Sequence, residues 1–87
     1  MRKIKKKTTS KYFNEILKGK KNFDVRLADW DCKEGDLLML QEWDHKLGKY
    51  TGRTLEKKIS FVLKTKNLKF FSKKDIDIHG YQIIGFK

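Results

Sequence analysis

The chain has 87 residues, 38% hydrophobic and 38% charged, with no proline and one cysteine. That length has room for one domain, residues 1–87, and no apolar run approaches the ~20 residues that a membrane span needs. The lone Cys32 excludes an internal disulfide and a Cys-rich zinc module, and suits a reducing cytoplasm.

The N-terminal MRKIKKKTTS is basic and lacks the apolar stretch of a signal peptide. Ile4 among lysines reads as an extended edge strand, which lysines protect from edge-to-edge pairing. A short helix follows, from Lys11 to Lys18, with Ser10 as N-cap. Tyr12, Phe13, Ile16 and Leu17 form its apolar face, and Gly19 ends it. Asn22 to Ala28 then alternates, with Phe23, Val25 and Leu27 inward and Asp24 and Arg26 outward. Lys33 to Asp36 reads as a turn, Leu37 to Trp43 as a buried strand, and His45 to Gly48 as a second turn. Arg53 to Lys64 alternates with Leu55, Ile59, Phe61 and Leu63 inward. Residues 65–74 carry no clear period. Asp75 to His79 alternates again, Gly80 interrupts, and Tyr81 to Phe86 reads as a closing strand. One short helix with five or six strands predicts a small, mainly β barrel of α+β type.

Lys and Arg number 22 against 11 Asp and Glu, for a net charge of +11. Residues 1–26 hold ten bases and two acids, residues 27–56 four and seven, and residues 57–87 eight and two. Two basic ends around an acidic middle point to a basic face, whose natural partner is a polyphosphate; the plainer alternative is a lysine-rich solubilising surface.

At the helix-to-strand junction the chain reads Gly19-Lys20-Lys21-Asn22-Phe23-Asp24-Val25-Arg26. This resembles the G-x-K-x-x-E-x-R signature of the ASCH domain family, with Gly19, Lys21 and Arg26 matching and Asp24 in the usual Glu position. Gly35-Asp36, Glu42-Trp43-Asp44 and Tyr50-Thr51-Gly52-Arg53 resemble a small bacterial and phage branch of that family, a domain of unknown function. The resemblance implies a PUA-like β-barrel that binds RNA, with the signature lining a cleft. A few ASCH members resemble enzymes that deacetylate acetylated cytidine, through the signature lysine, a threonine three residues later and a downstream glutamate; nuclease activity has been attributed to others. Here Lys21 matches, but Asp24 stands at the threonine position and cannot act as a hydroxyl.

The residues themselves support a binding role. A carboxylate beside a guanidinium holds the Arg fork ready for a phosphate or a base edge, and Lys21 adds a point charge. Trp30, Trp43, Tyr50 and Tyr81 offer stacking faces, with Tyr50 and Arg53 flanking a Thr-Gly turn. The expected RNA-binding set is therefore Lys21, Asp24 and Arg26 with Lys20, Trp30, Tyr50 and Arg53. Asp75, Asp77 and His79 would share one strand face, but as a solvent-facing row rather than a metal site. No catalytic residue, metal or cofactor is expected. The expected function is a non-catalytic RNA-binding module acting on single-stranded or looped RNA away from membranes. The alternatives are a hydrolase of a modified nucleoside and a protein-interaction or phage accessory factor.

Overall fold

The computed structural model describes residues 1–66 and 68–86; Asn67, in the stretch without clear period, and Lys87 lie outside them. Strand β1 (Lys3–Thr9) leads directly into helix α1 (Ser10–Leu17), and β2 (Leu37–Asp44) and β3 (Lys49–Lys58) follow. A last helix, α2, spans Lys73–His79. The strands form one sheet in the order β1-β2-β3. β1 runs parallel to β2, from Lys3 opposite Leu37 to Thr9 opposite Trp43, and β2 runs antiparallel to β3. A parallel pair needs a crossover, and α1 with the long loop after it supplies one.

Alternation gives the sheet two faces. Ile4, Lys6 and Thr8 stand opposite Leu38, Leu40 and Glu42, and Leu40 stands opposite Leu55. This face takes α1: Phe13, Ile16 and Leu40 are buried, with Leu38 and Leu55 packed against them. Helical spacing brings Phe13 and Ile16 to the sheet, while Tyr12 and Leu17 remain half-exposed at the margins of the stripe. Leu37, Met39, Gln41 and Trp43 occupy the opposite face and are half-buried.

The expected five- or six-stranded PUA-like barrel is not what the chain forms: it is a small α+β fold with an open three-stranded sheet. Asn22 to Ala28 joins no ladder, and its supposed inward residues Val25 and Leu27 are 60% and 81% exposed. Alternation makes a strand only where a neighbour takes the backbone hydrogen bonds, and the three-stranded sheet leaves this segment outside its ladders, with Asp24 gripping Lys21 and Arg26. β3 starts at Lys49 and stops at Lys58, where β2 begins; Gly35 and Asp36 exchange backbone hydrogen bonds with Ile59 and close the ladder. Phe61 and Leu63 are consequently exposed.

Asp75 to His79 is helical because Ser72 caps it, its Oγ accepting from the Asp75 backbone N–H at 3.1 Å. The polar alternation there coincides with a capping box, Ser-x-x-Asp, and the cap prevails. On a helix Asp75 and Asp77 point apart, so the shared strand face does not exist. Tyr81 to Phe86 forms no strand and is exposed, although Gly85 lies against the Phe23 ring. The N-cap of α1 is Thr9 rather than Ser10, because the Ser10 hydroxyl donates instead to the Trp43 carbonyl at 3.4 Å.

Candidate functional site

Gly19, at φ 78°, turns the chain out of α1, a left-handed conformation that glycine adopts without a Cβ clash. The turn delivers Lys21, whose backbone N–H is held by the Glu15 carbonyl. Asp24 then joins the two cations of the signature. Lys21 Nζ lies 3.3 Å from its Oδ1, and Arg26 Nε donates to its Oδ2 at 2.8 Å. Arg26 reaches on to β1, donating to the Lys7 carbonyl at 2.8 Å and to Thr8 Oγ1 at 3.0 Å. A guanidinium has five N–H donors, so one remains on each terminal nitrogen. Thr8 is buried, which makes it a fixed anchor for the fork. Lys21 also sits above the Tyr12 and Phe23 rings, 4.8 and 5.2 Å from their centroids.

These three residues border a cavity of about 400 Å³ between the helix-covered sheet face and the loops 21–32 and 59–64. Phe23, Trp30, Leu38, Leu40 and Phe61 are among its apolar walls. Trp30 is half-buried, and the Lys6 ammonium lies 3.8 Å from its ring centroid. The result is an apolar recess with a carboxylate, a guanidinium and an ammonium on its border. Its volume falls in the range of small-ligand sites.

The structure thus brings together Lys21, Asp24, Arg26 and Trp30 of the expected set. Lys20 is exposed beside them but does not line the cavity. Tyr50 and Arg53 lie elsewhere. Between Gln41 and Trp43 the β2–β3 register slips, so that Thr51, Gly52 and Arg53 bulge opposite Glu42. Gly52, at φ 95°, permits the bulge. Thr51 and Arg53 both turn to the buried Glu42 carboxylate: Thr51 Oγ1 donates at 2.6 Å, and Arg53 Nε and a terminal nitrogen donate at 2.7 and 2.8 Å. These bonds, first from Arg53 and then from Thr51, hold the Glu42 carboxyl down at about 2. Arg53 also donates to Asn14 Oδ1 at 2.9 Å, tying the sheet to α1. Three of the five Arg53 N–H donors are thereby taken up within the fold. Tyr50 packs edge-on against Trp43 on the sheet face away from α1, with ring centroids 5.0 Å apart.

Thr8, Lys6 and Glu42 were absent from the expected set. A Lys-Thr-Thr run carries no sign that one hydroxyl anchors an arginine eighteen residues on. Glu42 did have a signal, as an acid among the apolar residues of a buried strand.

The chain belongs to the family described as "Domain of unknown function (DUF3850)", which matches residues 4–86. It is also similar to an uncharacterized 12.9 kDa protein in the GpA 3′ region of Escherichia phage P2, 41% identical over 56 residues. That match covers 64% of this chain and half the length of the phage protein. Of the expected resemblance, these matches carry the domain of unknown function and the phage relative; neither match names the ASCH family. No solved structure matches the chain. Among the described residues no helix is long and apolar enough to cross a membrane.

Proposed function

We propose that the chain is a non-catalytic RNA-binding module, and that the Lys21–Asp24–Arg26 corner with the recess behind it holds a nucleotide of single-stranded or looped RNA. The observation that carries this reading is the Asp24 carboxylate, shared between Lys21 at 3.3 Å and Arg26 at 2.8 Å on the border of an aromatic-walled cavity. A guanidinium fixed by Asp24, Lys7 and Thr8 keeps two N–H groups for an incoming phosphate or base edge without first losing side-chain entropy. Phe23 and Trp30 suit a flat base. The likeness of Gly19 to Arg26 to the ASCH signature, and the net charge of +11, support the same reading. The lone thiol of Cys32 suits a cytoplasmic setting.

Titration of a short fluorescent oligoribonucleotide at two salt concentrations tests it. Micromolar or weaker affinity is expected, with a log–log salt slope of roughly −3 to −4 if about four to six phosphates are neutralised. Arg26→Ala should cost more affinity than Lys5→Ala. Asp24→Asn should weaken binding although it makes the protein more positive. Tighter binding by Asp24→Asn would make the corner a scaffold under a generic basic film, and no binding at low salt would remove the RNA reading.

A further inference from the structure

The sheet face turned away from α1 is a second basic and aromatic surface, separate from the recess. Lys5 and Lys7 stand on it along edge strand β1, two residues and so about 6.6 Å apart by strand rise, roughly one nucleotide step of an extended strand. Next to them on β2 lie Met39, opposite Lys5, and Trp43, followed on β3 by Tyr50. The central residues are half-buried and Tyr50 is 49% exposed. Both buried residues of α1 pack on the other face, and α2 makes no comparable contact with the sheet.

The charges of this face are complementary to a polyanion. Its carboxylate, Glu56, is already neutralised by Lys3 at 2.6 Å. Lys5 and Lys7 have no acidic partner among the described residues; the Lys7 ammonium instead rests 3.8 Å from the Trp43 ring centroid and 5.9 Å from that of Tyr50. Trp43 meets Tyr50 at an interplanar angle of 80°, an edge contact that restrains the Tyr50 ring while the residue stays 49% exposed. A preset ring beside cations that lack anions is the arrangement by which single-stranded nucleic acid is bound without sequence preference: bases stack, and ammonium groups follow the backbone.

We propose that this face binds single-stranded nucleic acid, a base stacking on Tyr50 while Lys5 and Lys7 contact the adjoining phosphates. The backbone of Lys7 joins the two surfaces, because its carbonyl receives Arg26 while its ammonium serves the sheet face. The sheet face stands on its own residues and does not depend on the recess.

A fluorescein-labelled oligouridylate, titrated by anisotropy against the full chain and its variants, tests this. Tyr50→Ala should weaken binding by about fivefold or more, the lower end of what one stacked base contributes, while Tyr50→Phe should stay within about twofold of wild type. Lys5→Gln should reduce the salt slope by about 0.7. If Tyr50→Ala, shown folded by its circular dichroism, binds like wild type while Lys21→Ala and Arg26→Ala lose binding, the sheet face is inert and the recess reading stands. If Tyr50→Ala and Lys5→Gln lose binding while the recess variants keep it, the sheet proposal holds and the recess reading fails. A Tyr50→Phe loss equal to that of Tyr50→Ala would overturn the stacking role, because the ring is retained.

Discussion

Leu40 sits at the centre of the middle strand, 2% exposed, and completes the buried trio with Phe13 and Ile16. Replacing it with alanine removes three carbons, about 2.4 kcal/mol at ~0.8 kcal/mol for each buried CH₂. A rigid shell would add a cavity term and bring the loss towards ~5 kcal/mol. Leu40 already borders the 400 Å³ recess, so part of the vacated space merges with an existing void. The expected loss for Leu40→Ala is therefore about 3 kcal/mol. A domain of 87 residues has a total stability of roughly 4–13 kcal/mol, so this one truncation removes a large fraction of it. With a urea m-value near ~1 kcal/mol per M, the unfolding midpoint should fall by about 3 M at unchanged slope. Leu27→Ala, at a residue 81% exposed, should stay within about 0.5 kcal/mol of wild type. A Leu40→Ala loss below ~1 kcal/mol, or a Leu27→Ala loss as large as that of Leu40→Ala, would refute the assignment of the core to the α1 face of the sheet.

The Glu42 carboxyl, lowered from 4.5 to about 2 by Arg53 and then Thr51, stabilises the fold fully above pH 4.5 and progressively less as pH falls towards 2. Acid unfolding curves should show that loss in wild type and a flatter profile across the same window in Glu42→Gln, with Asp36, also lowered by the Arg2 and Lys33 backbone N–H groups, adding loss in the same direction in both proteins. Arg53→Lys keeps the charge but not the fork, and carbon-detected NMR titration should find the Glu42 pKa raised from about 2 towards its ordinary value. A Cβ on Gly85 would meet only the half-buried Phe23 ring, at 2.6 Å, from an exposed segment that can yield, so Gly85→Ala should cost no more than about 1 kcal/mol in thermal unfolding.

What the sequence made legible is what local chemistry decides. Gly19 after an amphipathic turn marked the end of α1, and the apolar run from Leu37 marked the central strand. The parity of that strand was less legible. Leu37, Met39 and Trp43 look as apolar as Leu38 and Leu40, and only the position of α1 decides which set is buried. Period two misled at Asn22 to Ala28 and at Asp75 to His79 for different reasons. In the first the segment lies outside the sheet and leaves Val25 and Leu27 exposed, and in the second the Ser72 cap favours a helix. The Asp24–Arg26 partnership was readable at a separation of two residues. The buried hydroxyl of Thr8, to which Arg26 is moored, is a tertiary contact that spacing does not encode.

The central claim is that the Lys21–Asp24–Arg26 corner contacts RNA. Its most direct test is amide chemical-shift mapping of the isotopically labelled chain during titration with a short oligoribonucleotide at low salt. The corner reading predicts saturable shifts at residues 20–30 and at Lys6 to Thr8 that diminish together in Arg26→Ala, whether or not the sheet face adds its own shifts at Lys5, Trp43 and Tyr50. An unshifted corner, with changes confined to residues 68–86 or with none at all, would contradict it.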